Sequence, residues 1–290
     1  MTLRIFIAIA TVGRPEITSQ TVDLLKLQTR RPDGVVVVGA QPSDVEGVDA
    51  ASIHPEVSLA ARGLCNQRNH ALDVIGDRAD IVIFFDDDYV PASDFLEETG
   101  RIFSSRPDVV GATGRLIADG VHGLGYTVDE ALALIAEDSP PPPFELTREA
   151  LYGCNMVIRL AAASGLRFDP ALPLYGWQED IDFTYQLGMR GNMVKPSSLR
   201  GVHMGAKGGR TAGKRLGYSQ IANPVYLLRK KTIPPKLARR ILWRTMAANV
   251  ARSLKPEAHI DRRGRAWGNM VAIGDLLTGR LDPRRILEMG

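Results

Sequence analysis

The chain has 290 residues, of which 44% are hydrophobic and 24% are charged, and its formal net charge is +3. This composition is typical of a globular protein with a sizeable core, in one large domain or two small ones. Two cysteines, Cys65 and Cys154, provide no disulfide framework and no metal-ligand spacing, so we expect buried thiols in a reducing cytoplasm. The first ten residues lack a signal-peptide pattern, and no apolar run approaches the ~18 residues of a transmembrane helix. We therefore expect a protein that does not cross a membrane.

Charge is divided unevenly along the chain. Residues 206–290 contain 19 Lys and Arg against 5 Asp and Glu, a net charge of +14. Residues 1–205 contain 17 against 28, a net charge of −11. The sequence thus predicts an acidic body, 1–205, followed by a basic helical extension, 206–290. Such an extension is suited to anionic lipid, to another polyanion or to the acidic body itself.

Strand and helix patterns alternate through the body. Apolar, β-branched runs predict strands over 3–10, 34–38, 51–54, 80–85, 109–116, 151–158 and 193–203. Amphipathic runs predict helices over 15–27, 64–74, 94–103, 130–136 and 179–189. The extension is predicted to be helical, with breaks at Pro224, Pro234, Pro235, Pro256 and Pro283. This alternation indicates an α/β fold, with a mostly parallel sheet flanked by helices and a C-terminal helical extension.

Three consecutive aspartates, Asp86, Asp87 and Asp88, follow an apolar run that reads as a buried strand. Carboxylates this close repel one another, and hard divalent cations such as Mg²⁺ or Mn²⁺ prefer carboxylate oxygen. Ligands of open α/β sheets sit beyond the carboxyl ends of the strands. The run therefore predicts a metal site in a cleft and a substrate that carries phosphates.

A second acidic cluster, Glu179 and Asp180, follows Gly176 and Trp177 at the start of a predicted helix. A structural alternative exists, because carboxylates at a helix N-terminus complement the helix dipole. An indole beside a carboxylate, however, favours a general base whose pKa is raised toward the working pH by an apolar neighbour. We favour the general base because this cluster accompanies a predicted metal site.

In this order, the motifs resemble those of family 2 inverting glycosyltransferases of the GT-A fold. The resemblance spans residues 3–205 and includes the turn at 11–15, the segment 63–69 and a strand that ends in His203. It implies a GT-A catalytic domain that binds a nucleoside-diphosphate sugar together with Mn²⁺ or Mg²⁺. One departure concerns the second strand, which is followed by no acid before Asp44 where the family has an aspartate for the nucleotide base. The donor base is therefore not assigned.

The resemblance also implies roles for individual residues. Asp88 would ligate the metal together with His203, while Asp180 would deprotonate the acceptor hydroxyl and Glu179 would bind the acceptor. The residues implied in binding the nucleotide sugar are Thr11, Arg14, Arg68, Asp86, Asp87, Asn155 and Trp177. For His203 and Asn155 a structural role at a strand end remains the alternative.

These expectations describe a metal-dependent inverting glycosyltransferase that acts on a glycan or lipid-linked saccharide, in surface polysaccharide or glycolipid assembly. One alternative is a nucleotidyltransferase, which uses metal-bound carboxylates but does not need the cluster at 176–180. Another is a non-catalytic module that binds a glycan or a nucleotide.

The predicted helix over 236–254 bears on where such a protein acts. It carries Lys236, Arg240 and Arg244 at helical spacing, with Trp243 among them. We expect it either to pack on the body or to lie on an anionic membrane surface, as a cytoplasmic protein peripheral to the inner face. Nucleic acid is not an expected partner, because no binding module accompanies the basic charge.

Overall fold

The computed structural model describes residues 2–139, 142, 144–208, 212–257 and 260–289, with the backbone alone for His122. The strands are β1 (Ile5–Ala10), β2 (Gly34–Gly39), β3 (Glu56–Leu59), β4 (Ile81–Asp86), β5 (Tyr89–Pro91), β6 (Val109–Thr113), β7 (Arg115–Asp119), β8 (Glu145–Thr147), β9 (Asn155–Arg159), β10 (Asn192–Pro196) and β11 (Arg200–His203). The α-helices are α1 (Pro15–Leu24), α2 (Leu64–Ile75), α3 (Phe95–Ser105), α4 (Val128–Glu137), α5 (Glu179–Gly188), α6 (Gly213–Lys230), α7 (Pro235–Ser253) and α8 (Arg262–Leu277).

An eight-stranded sheet in the order β3-β2-β1-β4-β9-β6-β10-β8 forms the middle layer. Strands β1 to β4 run parallel within it, and β6 is parallel to β10. Strand β9 runs antiparallel between β4 and β6, and β8 is antiparallel at the edge. The sheet is thus mostly parallel and flanked by helices, which confirms the predicted α/β class.

Burial on both faces explains why the central strands could be recognised in the sequence. In β1, Ile5, Ile7 and Ile9 pack into the core on one side of the sheet, and Phe6 and Ala8 pack into the core on the other. A strand covered by helices on both faces is apolar at every position and does not alternate. Such strands are therefore visible as short, continuous apolar runs.

A second, three-stranded sheet in the order β5-β11-β7 lies beside the carboxyl end of β4. Its strand β5 begins at Tyr89, directly after the aspartate run. In this sheet β11 is parallel to β7, with His203 in register with Asp119. The small sheet therefore brings the ends of two of its strands toward the aspartates.

This second sheet overturns two predicted strands. The run 109–116 is divided between β6 and β7, and the run 193–203 between β10 and β11, in different sheets. The first break falls at Gly114, where a Cβ would lie 2.9 Å from the carbonyl oxygen of Leu199. The chain passes so close here that glycine is required, and the apolar pattern continues through the break without revealing it.

Two smaller predictions were also wrong. Residues 51–54 form a turn, and the edge strand β3 lies just beyond them at Glu56–Leu59. Pro224 lies inside α6 without ending that helix. A helix that is packed along its length tolerates the loss of one backbone hydrogen bond.

The start of the basic extension is anchored to the body. Leu227, Ile233 and Ala238 belong to the apolar cluster on one face of the large sheet. Lys230 on α6 lies 2.8 Å from Asp182 Oδ2 and 2.7 Å from Asp169 Oδ2, both in the body. Each helix in the described part of the chain is too short or too polar to span a bilayer.

Candidate active site

Two carboxylates and an imidazole meet where β4 ends. Donor atoms of Asp86, Asp88 and His203 all lie within 4.8 Å of one another. His203 Nε2 is 3.3 Å from Asp88 Oδ1 and 3.8 Å from Asp86 Oδ2. Asp88 Oδ1 is buried and accepts no hydrogen bond from the residues that the structure describes. A buried oxygen of this kind, beside a second carboxylate and an imidazole, fits a divalent cation such as Mn²⁺.

His203 is oriented from its other side. Its Nδ1 lies 3.1 Å from Asp119 Oδ1, and the Tyr152 hydroxyl donates a 3.3 Å hydrogen bond to Asp119 Oδ2. A carboxylate on the far nitrogen fixes the ring orientation of a metal-binding histidine. Burial alone would lower the pKa of His203, but the nearby carboxylates of Asp119 and Asp88 outweigh it and raise the pKa to about 10. Sequence reasoning missed Asp119 and Tyr152, although Asp119 ends a strand as His203 does.

The turn after β1 holds the middle of the aspartate run. Asp87 has no exposed surface, and it accepts a 2.7 Å hydrogen bond from Thr11 Oγ1. Arg14 places Nη2 2.5 Å from Asp87 Oδ1 and Nη1 3.3 Å from Asp88 Oδ2. Burial raises the pKa of Asp87 to about 7 against the attraction of Arg14. Thr11 and Arg14 thus lie beside the aspartate run, and their contact with a nucleotide sugar stays a prediction. Asp86, with its side chain 26% exposed, is the aspartate open to a ligand.

Asp44 occupies a structural position at the same edge of the sheet. Its carboxylate accepts hydrogen bonds from the backbone N–H groups of Gly13, at 2.8 Å, and of Ala40 and Gln41, at 3.0 Å each. It therefore ties the turn after β1 to the turn after β2. The first acid after the second strand therefore has a structural role. Its contacts do not identify the base of the donor nucleotide.

The second acidic cluster opens helix α5. Asp180 is half-buried, and its carboxylate accepts backbone hydrogen bonds from Gly153, at 3.0 Å, and Ile181, at 2.8 Å. Burial raises its pKa. The preceding loop is tightly turned, with positive φ at Gly176 and at the non-glycine residue Gln178. Strained backbone of this kind concentrates at functional sites.

Two aromatic rings lie in the loop that precedes Asp180. Trp177 is half-buried and its ring lies 6.4 Å from that of Tyr175, which is 53% exposed. The carbonyl oxygen of Trp177 accepts a 2.7 Å hydrogen bond from Asn223 on α6. Trp177 thus lies in the loop before Asp180, and its contact with the Asp180 carboxylate stays a prediction. Tyr175 is a further ring that sequence reasoning did not single out.

Arg68 connects the two acidic clusters. It is 3% exposed, and its Nη1 donates a 2.7 Å hydrogen bond to Glu179 Oε1. Its Nη2 donates to Asp86 Oδ1 at 3.1 Å and to the carbonyl oxygen of Gly153 at 2.8 Å. Burial raises the pKa of Glu179 to about 8, although the charge of Arg68 opposes this. Arg68 therefore lies within the site as a buried bridge.

Asn155 is separated from the cleft. It is fully buried at the start of β9, and its Oδ1 accepts hydrogen bonds from Thr113 Oγ1, at 2.6 Å, and Gly114 N, at 3.2 Å. Its Nδ2 lies 3.2 Å from the hydroxyl of Tyr89. Since core partners engage both ends of the amide, this position favours the alternative of ordering the strand.

Solved structures with this fold include nucleotide-sugar complexes. S. aureus TarS 1-349 matches 98% of this chain and 82% of its own, with 16% identity and a TM-score of 0.58. The same protein in complex with UDP-GlcNAc also has a TM-score of 0.58. The mannosyltransferase PcManGT from Pyrobaculum calidifontis, in complex with GDP-Man and Mn²⁺, matches 99% of this chain and 86% of its own, with 15% identity and a TM-score of 0.54. No protein-family model and no curated protein matches the sequence. The likeness confirms the fold as that of GT-A glycosyltransferases.

Proposed function

We propose that the protein is a metal-dependent glycosyltransferase that moves a sugar from a nucleoside-diphosphate sugar to an acceptor hydroxyl, with inversion at the anomeric carbon. One observation carries this proposal. Three side chains that could hold a cation, those of Asp86, Asp88 and His203, lie at the same edge of the sheet as the second acidic cluster, and Arg68 connects the two groups. The fold shared with proteins solved with UDP-GlcNAc, and with GDP-Man and Mn²⁺, supports it.

The donor side is formed by the first acidic cluster. Asp86, Asp88 and His203 would hold Mn²⁺ or Mg²⁺, and Asp119 keeps the His203 ring in place. Such a cation, when bound, neutralises the charge that develops on a leaving diphosphate. The backbone N–H of Ala206 donates a 2.7 Å hydrogen bond to Asp88 Oδ2, which orders the chain after β11 against this cluster.

On the acceptor side, Asp180 is the proposed base. A carboxylate whose pKa is raised by burial is a stronger base near neutral pH than an ordinary aspartate. The N–H groups of Gly153 and Ile181 hold its orientation, so the proton of the acceptor hydroxyl passes to a fixed oxygen. A base on the face opposite the leaving group corresponds to a single displacement and hence to inversion. Glu179, held by Arg68, and the rings of Tyr175 and Trp177 are proposed to contact the acceptor.

The alternative functions make less use of this arrangement. A nucleotidyltransferase needs the metal-binding carboxylates but not a second carboxylate cluster linked to them. A binding module needs neither a base with a raised pKa nor its fixed orientation. For the acceptor we propose a glycan or lipid-linked saccharide, in surface polysaccharide or glycolipid assembly, at the cytoplasmic face of a membrane.

Calorimetry of the whole chain with UDP, GDP and TDP, with and without Mn²⁺ or Mg²⁺, tests the donor side. We expect one nucleotide to bind in a metal-dependent manner. Transfer is then assayed with the matching nucleotide sugar, and NMR of the product reports the configuration at the anomeric carbon. Absence of nucleotide binding contradicts the proposal, and a retained configuration contradicts inversion. Release of pyrophosphate would favour the nucleotidyltransferase.

A further inference from the structure

Helix α7 exposes an apolar stripe to solvent. Trp243, Val250 and Leu254 are 70%, 64% and 87% exposed, and the exposed Ala247 lies between them. Their spacing places them along one side of α7, with Leu254 directly after its last residue, Ser253. The buried residues of the same helix, Ala238 and Asn249, are spaced along a different side. The stripe is therefore not the face that packs against the protein.

Helix α8 has a similar exposed stripe. Trp267, Met270 and Leu277 are 55%, 56% and 82% exposed and recur at helical spacing. The two helices belong to one packed unit, because Asn249 on α7 donates a 3.0 Å hydrogen bond to Asn269 on α8. Two neighbouring helices thus each present an indole and further apolar side chains to solvent.

The charge around these stripes is entirely positive on α7. Residues 232–256 contain no acidic residue. Lys236, Arg239, Arg240 and Arg244 are exposed. None of these four forms an ion pair with a residue that the structure describes, whereas Lys230, Arg252, Arg262, Arg284 and Arg285 of the extension each form one.

Helix α8 adds no exposed negative charge. Its one acid, Asp275, is buried and accepts a 2.9 Å hydrogen bond from the hydroxyl of Tyr218. Exposed indoles and aliphatic side chains beside unpaired cations, on helices that expose no carboxylate of their own, are typical of helices that lie in the interface of an anionic bilayer. A protein partner of comparable fit would need an apolar groove edged by acidic residues.

The extension is also connected to the loop that carries the proposed base. Asn223 on α6 donates its hydrogen bond to the carbonyl oxygen of Trp177. Leu174, in the same loop, packs against the apolar cluster that Tyr218, Ile221 and Ala272 form between α6 and α8. The unit formed by α6, α7 and α8 is therefore in direct contact with the proposed acceptor side of the site. A surface that binds the outer faces of α7 and α8 would lie against this same unit.

We propose that the exposed stripes of α7 and α8 dock on an anionic phospholipid surface, with Trp243 and Trp267 at the level of the headgroups. Docking there brings the loop at 174–180 to acceptors that are themselves anchored in lipid. The access to lipid-anchored acceptors rests on the proposed function, whereas the docking on phospholipid does not.

Flotation of the full chain with vesicles tests the docking. We expect binding to vesicles of phosphatidylcholine with phosphatidylglycerol, little binding to phosphatidylcholine alone, and weakening as salt is added. The double variant Trp243→Glu/Trp267→Glu should lose binding to the mixed vesicles. The matched control is Met189→Glu, which changes an 81% exposed side chain on the body and should bind as the wild type does.

A second pair of variants tests the charge without touching the stripes. Arg240→Gln/Arg244→Gln should weaken binding by about five-fold for each arginine. Arg31→Gln, at an exposed position of the body, should have no effect. Because these positions are exposed, folding is expected to be retained, and thermal unfolding checks it.

Several results would overturn the docking. The first is failure of the wild type to bind mixed vesicles, and the second is binding by the tryptophan and arginine variants that equals that of the wild type. The third is a wild-type dimer in sedimentation that disappears in Trp243→Glu/Trp267→Glu. The last result would show that a second copy of the chain covers the stripes. Nucleotide calorimetry without lipid separates the two proposals, since the surface variants should bind nucleoside diphosphate normally. Vesicle binding without nucleotide binding would contradict the proposed function and leave the docking supported.

Discussion

Arg68 Nη1 lies 2.7 Å from Glu179 Oε1, and Nη2 of the same guanidinium lies 3.1 Å from Asp86 Oδ1. The guanidinium carbon is also 5.5 Å from the ring centroids of Phe84 and Phe168. A buried, planar cation held in this way has little freedom to move. The distance between the proposed metal site and the proposed base is therefore set in part by one side chain.

Replacing Arg68 should lower the stability of the protein. Arg68→Met leaves buried oxygen atoms of Glu179 and Gly153 without their donor, which we expect to cost about 1–3 kcal/mol of unfolding free energy. Urea denaturation measures this cost. The double variant Arg68→Met/Glu179→Gln should lose less than the sum of the two single variants, because the residues are in direct contact. Strict additivity would show that the contact contributes nothing to stability.

Glu179 should impose a pH dependence on stability. Its pKa in the folded protein is raised to about 8 by burial, against 4.5 for an ordinary glutamate, so the folded state binds more protons between these values. Stability from this group is full below about pH 4.5 and declines as the pH rises through about 8. In Glu179→Gln the decline of unfolding free energy over this window should be shallower than in the wild type. Glu46→Gln, at an exposed position, serves as the control; equal slopes for all three proteins would contradict the raised pKa.

Much of the site is visible in the sequence because its residues follow strong local signals. Asp86 and Asp88 end a continuous apolar run, and Asp180 opens a helix after a Gly-Trp pair. These signals depend only on residues that are adjacent in the sequence. They are therefore sufficient to predict that each carboxylate lies at the edge of the sheet.

The remaining features depend on packing between distant segments. Asp119 reaches His203 only because the chain breaks at Gly114 and starts a strand in the second sheet. The contact of Arg68 with Glu179 joins residues that are 111 positions apart. Asn155 is the opposite case. The resemblance implied that it binds the nucleotide sugar, but it lies in the core with its side-chain amide hydrogen-bonded. No local pattern distinguishes such cases, because tertiary packing decides where each side chain lies.

Metal-dependent nucleotide binding should depend strongly on Asp88. Asp88→Asn removes the carboxylate whose Oδ1 lies 3.3 Å from His203 Nε2, and we expect it to weaken metal-dependent binding of nucleoside diphosphate by more than about a hundred-fold. Asp119 meets His203 at Nδ1, the nitrogen that faces away from the proposed metal site, so Asp119→Asn should weaken this binding by about 10–100-fold, as for other residues that orient a ligand. Calorimetry with Mn²⁺ measures both effects. Asp129→Asn, at an exposed position on α4, is the control. Unchanged affinity in Asp88→Asn would remove this residue from the metal site.

Asp180→Asn should separate transfer from donor binding. The amide keeps the size of the side chain and an oxygen for the Gly153 N–H, but it takes up no proton. We expect the nucleoside diphosphate to bind as in the wild type and sugar transfer to fall by about 10²–10⁴-fold, the range that general bases contribute. Single-turnover release of nucleoside diphosphate measures transfer, and calorimetry measures binding. Near-normal transfer would exclude Asp180 as the base. In the wild type, the acidic limb of the pH–rate profile should lie above the pKa of an ordinary aspartate, because burial raises that of Asp180. A limb that persists in Glu179→Gln would assign it to Asp180, whereas a limb that disappears would assign it to Glu179.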